Sequence, residues 1–143
     1  MKVSRLIAAI TATLIFLTLL TVPNLAAPQG LTSLLTTARG QGTLTVGKEQ
    51  FKVGAVVVKL NEDGTGEITV ITDLQLFVTC TWSVTADINK GIDLKITGGT
   101  NAGSVQGSGK LFLRPDGKSI ASLSIQAISN TAKRKIQLDF VAQ

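Results

Sequence analysis

From Gly40 onward, apolar and polar side chains take turns along the chain. A period of two places them on opposite faces of a pleated strand. The longest stretch is Leu74 to Asp87. Leu74, Leu76, Val78, Cys80, Trp82, Val84 and Ala86 share one parity, and Gln75, Thr79, Thr81, Ser83, Thr85 and Asp87 share the other, with Phe77 the one exception. Ile92, Leu94 and Ile96 against Asp93, Lys95 and Thr97 repeat the pattern, as do Ile136, Leu138 and Phe140 against Lys135, Gln137 and Asp139. No helical stripe accounts for these runs.

Turn chemistry separates them. Asp63-Gly64 and Asp116-Gly117 are hairpin signals, because glycine accepts the positive φ of a tight turn. Gly47-Lys48 and Asn89-Lys90-Gly91 read similarly, and Gly98 to Ser104 reads as a longer loop. Strands are therefore predicted over 42–46, 51–60, 65–72, 74–86, 91–97, 105–113, 119–127 and 134–141. One of them changes parity midway: Phe51 and Val53 fall on one side, Val56, Val58 and Leu60 on the other. A β-bulge at Gly54 would return all five to a single buried face.

Short connections imply a meander in which each strand pairs with the next. The predicted fold class is all-β, a single antiparallel meander of about eight strands. Closing it into an up-and-down barrel removes exposed edges, and a two-sheet β-sandwich is the alternative. An outer-membrane barrel fits poorly, since it needs an apolar outer band with aromatic girdles. Here the polar parity is Thr, Ser, Lys, Gln and Asp, with one Trp, five Phe and no Tyr in the chain. A faint repeat aligns Gly40-Gln41-Gly42-Thr43-Leu44-Thr45-Val46 with Gly107-Ser108-Gly109-Lys110-Leu111-Phe112-Leu113. It sets Val53, Val56 and Val58 opposite Ile120, Leu123 and Ile125. Two glycines and a leucine are its only identities, too few to establish duplication.

The start of the chain follows other rules. Lys2 and Arg5 precede an apolar run from Leu6 to Val22, broken by Pro23 and followed by the small residues Ala26 and Ala27. That order is a secretory signal peptide, taken as residues 1–27, and the expected location is outside the cytoplasm: periplasm, envelope or medium. Cleavage after Ala26, Ala27 or Ala38 remains open. An uncleaved anchor is disfavoured because four threonines interrupt a run shorter than the roughly 20 apolar residues of a spanning helix. No membrane span then survives processing. Residues 28–39 form a linker or a short helix, since Leu31, Leu34, Leu35 and Ala38 recur at helical spacing. The β domain covers 40–142.

Charge and composition narrow the function mainly by exclusion. The whole chain of 143 residues carries 14 basic and 9 acidic side chains, net +5. Without Lys2 and Arg5 the balance is 12 against 9, an ordinary charge for solubility. There is one cysteine, so no intrachain disulfide can form, and there is no histidine. Nucleophilic hydrolysis loses its usual base, and tetrahedral zinc sites lose their ligands. Glu62, Asp63 and Glu67 cluster at one hairpin tip, where solvated turn formers are the ordinary reading. Their spacing does not fit a calcium loop. Gly40-Gln41-Gly42 and Gly107-Ser108-Gly109 are not phosphate loops, because no helix N-terminus follows them. Lys133-Arg134-Lys135 is the densest basic cluster, but nucleic-acid binding on a sheet also calls for exposed aromatics. No catalytic, cofactor or metal site is expected, and nucleic acid is not an expected partner.

Two sets of residues remain as candidate sites. Gly107 and Gly109 share the inward parity with Leu111 and Trp82 and would leave room for a small apolar ligand. Cys80 and Trp82 otherwise read as core, the indole N–H requiring an acceptor. Ile71, Phe77, Phe112, Ile120 and Val141 are apolar on the polar parity. Gathered, they would form a contact patch for an envelope partner or a second copy, or be covered by Leu31, Leu34 and Leu35. In strand count and meander order the domain is similar to small barrels of the lipocalin and fatty-acid-binding type. Their Gly-x-Trp signature is not reproduced, since Cys80 stands two residues before Trp82, so the likeness is architectural and carries over no residue. The expected function is an exported, non-enzymatic domain that binds a small apolar ligand or an envelope component. A structural or self-assembling surface protein is the alternative, and an enzyme with a carboxylate site ranks third.

Overall fold

A computed structural model describes residues 31–73, 75–84, 87–99 and 104–143. The predicted signal peptide and the first residues of the following linker lie outside them. Eight strands follow in order: β1 (Leu34–Val46), β2 (Glu49–Leu60), β3 (Thr65–Ile71), β4 (Leu76–Val84), β5 (Ile92–Gly99), β6 (Val105–Leu113), β7 (Ile120–Ser129) and β8 (Lys135–Ala142). Each pairs antiparallel with the next, and β8 returns to β1, giving a closed meander barrel. The sandwich alternative is thereby set aside.

The period-two pattern produces this directly. Along β4, Leu76, Val78 and Cys80 are buried while Phe77, Thr79 and Thr81 are exposed. Along β8, Ile136, Leu138 and Phe140 are buried between exposed Lys135, Gln137 and Asp139. The inward side chains make one continuous aliphatic core, with Phe140 its largest fully buried member. Each full burial of a Val, Leu or Ile contributes about 1.5–3 kcal/mol, so the core is the main stabilising element.

Turns close as their chemistry requires. Gly64 and Gly117 have φ of +86° and +68°, the left-handed region that a Cβ would strain. Asp63 Oδ1 accepts from the Thr65 amide at 2.9 Å, and Asp116 Oδ1 accepts from the amides of Lys118 and Ser119, both at 2.8 Å. Between β4 and β5 a 3-10 turn over Ile88–Lys90 is capped by Asp87, which accepts from the Asn89 amide.

The structure departs from the sequence reading at two places. Leu34 to Arg39 are the first half of β1, not a linker or a helix: they pair with Leu60 to Ala55 of β2. Leu34 points inward and Leu35 outward, so the segment does not lie across the outer apolar residues. Ile120, expected on the outer face, is 1% exposed. The register shifts between Phe112 and Leu113, whose partners are Ser122 and Ile120. Ala121 is thus an extra residue that turns Ile120 into the core. The parity change in β2 is there, since Val53 and Val56 both stay buried, but the extra residue is in the partner strand: Arg39 pairs with Ala55 and Gly42 with Val53, so Gly40 and Gln41 of β1 stand opposite Gly54 alone.

Register also decides the repeat. Gly42 faces Val53, but its counterpart Gly109 faces Ile125 and not Ile120, so the ungapped alignment does not describe equivalent hairpins. The glycine pairs instead share a packing role. A Cβ at Gly40 would come within 2.1 Å of Val141 O and 2.9 Å of Phe140 Cζ, and one at Gly107 within 2.1 Å of Gln126 O. Strands β1 and β8, and strands β6 and β7, approach too closely there for any side chain.

These contacts lead to a paired test by chemical denaturation. Gly107→Val should cost about 2–3 kcal/mol by overpacking. Gly54→Ala, with nothing within 4 Å of the new methyl, should be neutral or gain about 0.5 kcal/mol. Equal effects at the two positions would contradict the close approach.

Candidate interaction surface

The positions expected to line an inner cavity are occupied. Leu111 is fully buried, and the space beside Gly107 and Gly109 is taken by β7: added Cβ atoms would meet the backbone oxygens of Gln126 and Ser124 at 2.1 and 2.7 Å. The glycines let strands approach, and they do not open the interior. Trp82 is half-buried at one end of the barrel, packed against the core, and its indole N–H donates to Asn61 O at 2.9 Å. The β2–β3 turn thus supplies the acceptor the sequence required.

Space near Gly109 opens outward instead. A depression of about 360 Å³ lies among Asp93, Ser108, Lys110, Ser124 and Gln126 on the polar face. A second, of about 290 Å³, continues it past Gln106 and Gln126 to Ile128, Lys135 and Gln137. Both are shallow, with polar and apolar surface in similar shares. Lys110 Nζ lies 3.0 Å from Asp93 Oδ1, an exposed pair of small energetic weight.

The outer apolar residues fall into separate groups. Thr69 pairs with both Phe77 and Val57, and Ala55, two residues before Val57, pairs with Ile71. Val57 also pairs with Thr37, which places Leu35 on its diagonal. Leu35, Val57, Ile71 and Phe77 therefore form one outward apolar face across β1 to β4, with Leu35 73% exposed. Phe112 belongs elsewhere. Val84, Ile92 and Leu111 lie at one level of the barrel, and Phe77 is seven residues from Val84, roughly 23 Å along the strand. Phe112 packs over Gly91, and Val141 lies two strands away across Ser122. The expected patch of Ile71, Phe77, Phe112 and Ile120 is thus divided: two members share a face, one is at the far end, and one is inside. Comparison with protein families, curated proteins and solved structures returns no match. The surface itself has to carry the functional reading.

Titratable groups add little chemistry. Burial pushes the Cys80 thiol up to about 11, where it is protonated and inert at neutral pH. Among the described residues no three of the His, Cys, Asp and Glu side chains gather into a metal-binding group. Asp63 is engaged by Thr65, whose side chain and amide hold its carboxyl below the ordinary value. Asp116 is held at about 2, first by the Ser119 hydroxyl and then by the amides of Lys118 and Ser119.

Because the folded value of Asp116 is depressed, its ionised form favours folding above the unfolded value of about 3.9. That contribution is lost as pH falls through about 2. Asp116→Asn should lower the urea midpoint near neutral pH, with the gap to the parent closing between about pH 4 and pH 2. A gap that does not change with pH would remove the charge from the explanation.

Proposed function

We propose that this chain is an exported, non-enzymatic barrel that binds another component of the cell envelope through its outer surface. The observation carrying the reading is the face of Leu35, Val57, Ile71 and Phe77. It is contiguous apolar surface on a wall whose other outward residues are mostly threonine, glutamine, lysine and aspartate. Surface of that kind costs solubility unless something covers it. The reading is supported from inside as well, since Gly107 and Gly109 pack against β7 and leave no berth for an apolar ligand there. Export rests on the leader pattern in residues 1–27, and the non-enzymatic reading on a chain without histidine whose single thiol is buried.

A photo-crosslinking residue in place of Phe77, introduced in the native host, tests this. A discrete adduct is expected from position 77, and none from a control at Gln126 on the polar face. Ile71→Ser with Phe77→Ser should weaken capture of that partner about five- to thirtyfold, since two half-exposed apolar side chains contribute about 1–2 kcal/mol together. The melting temperature should change little. Adducts at both positions, or at neither, would end the outer-face reading. A barrel that elutes as a dimer, and as a monomer once Phe77 is serine, would turn it to self-assembly.

A further inference from the structure

The basic run Lys133-Arg134-Lys135 has no part in the apolar face, and the barrel gives it a neighbour distant in the chain. Turns of a meander alternate between two ends, so β1–β2 and β7–β8 close at the same end. The pairing of β1 with β8 sets those two turns side by side. The Gly47 amide donates to Lys135 O at 2.8 Å, and Arg134 lies over Gly47, its Cδ 3.6 Å from the place of a Cβ. Lys48, next in the chain, therefore joins Lys133, Arg134 and Lys135 in one corner, and all four are exposed. Bonds on several sides hold the β7–β8 turn in place. The Ser129 amide donates to Arg134 O at 2.9 Å, the Ala132 amide to Ser129 Oγ at 3.4 Å, and the Asn130 amide to Ser104 O at 2.7 Å. At the foot of the same turn Ile128 pairs with Lys135 and is 52% exposed.

We propose that this corner docks the barrel onto an anionic lipid surface, its cations meeting headgroup phosphates and Ile128 entering the layer beneath them. Charge complementarity selects the partner. Glu49 is the acidic side chain nearest in sequence to Lys48, and the one ion pair among the described residues is elsewhere, between Lys110 and Asp93. Asp73, in the β3–β4 turn, is the only other charged turn residue at this end. Turns at the opposite end mix their signs: Glu62 and Asp63 in one, Asp87 and Lys90 in the next, Asp116 and Lys118 in the third. Charge is thus uneven along the barrel axis, and the field of a negative surface draws the basic corner toward it. Nucleic acid fits less well, since sheets bind it by stacking bases on exposed aromatics. Phe112 and Trp82 are at the opposite end, and Phe77 is three strands away from β1.

The corner is independent of the apolar face, and Ile71→Ser with Phe77→Ser leaves both turns as they are. The probes are vesicles of phosphatidylcholine alone and of phosphatidylcholine with phosphatidylglycerol in equal parts, sedimented with the protein purified from its host. The protein should pellet with the mixed vesicles and stay in solution with phosphatidylcholine alone. Salt at about 1 M should release it, because the screening length is then about 3 Å. Lys133→Gln with Arg134→Gln should weaken association about twenty-fivefold, each cation near such a surface contributing a factor of about five. Lys90→Gln with Lys118→Gln removes the same charge at the opposite end and should leave association nearly unchanged. Ile128→Ser should weaken it about four- to tenfold, by withdrawing a half-exposed apolar side chain. Equal losses from the two lysine-bearing pairs, or equal pelleting with both vesicles, would overturn the proposal. Tighter binding to single-stranded DNA than to the mixed vesicles would overturn it in favour of a polyanion.

Discussion

Everything in this barrel depends on the seam where β8 meets β1. The seven other pairings are between neighbours in sequence and follow from short turns, whereas this one joins the two ends of the domain. It forms because β1 is smooth at the right place. Gly40 and Gly42 point inward without side chains, so β8 can approach until Val141 O and Asp139 O fill the positions that Cβ atoms would take. The Phe140 ring then lies over Gly40 and occupies the interior that the glycines vacate. A large residue on one strand against two absent ones on the next lets a small ring be closed and filled together.

The same arrangement explains why the glycine pairs are poor cavity markers. A missing side chain in a barrel can leave space or admit a neighbour, and sequence alone does not distinguish them. The neighbour decides: Phe140 and the β8 backbone at Gly40 and Gly42, Ala127 and the β7 backbone at Gly107, and Ile125 with Leu94 at Gly109. Leu94 and Ile125 are legible as inward residues, yet their reach across to Gly109 depends on a register that turns and bulges set.

Most of the fold is nevertheless readable, because burial on one side of a strand enforces period two and turns need particular residues. Bulges are where parity becomes ambiguous. Val53 and Val56 are three apart and both buried with Gly54 between them, and the extra residue stands across the ladder in β1, where Gly40 and Gln41 face Gly54. Ile120 and Leu123 are also three apart and both buried, but no glycine marks the extra residue, which is Ala121. Parity alone therefore puts Ile120 on the wrong face. The N-terminal half of β1 is ambiguous for another reason. Leu31, Leu34, Leu35 and Ala38 satisfy a helical spacing, and Leu34, Thr36 and Ala38 satisfy an alternating one. So short a segment does not separate the two patterns. Pairing with Leu60 to Ala55 does, a long-range contact that local periodicity does not contain. Of the outer surface, Ile71 and Phe77 are legible as a pair. Val57 and Leu35 join them only once β2 and β1 are in register.

Small domains often rely on disulfides, and here a single thiol lies buried against Gly66. Cohesion therefore has to come from the ring of aliphatic side chains and from the satisfaction of polar groups at its ends. Among the described residues no buried side-chain nitrogen or oxygen lacks a hydrogen-bond partner. At one end Trp82 closes the core while its N–H reaches Asn61 O, and the Trp82 amide donates to Gly64 O, so a single turn answers two donors of one residue. Around the wall β1 pairs with β2 on one side and with β8 on the other. A closed sheet hides its backbone from other chains, and what remains for recognition is side-chain texture. In this barrel that texture turns apolar on one face, where Leu35, Val57, Ile71 and Phe77 come together across β1 to β4.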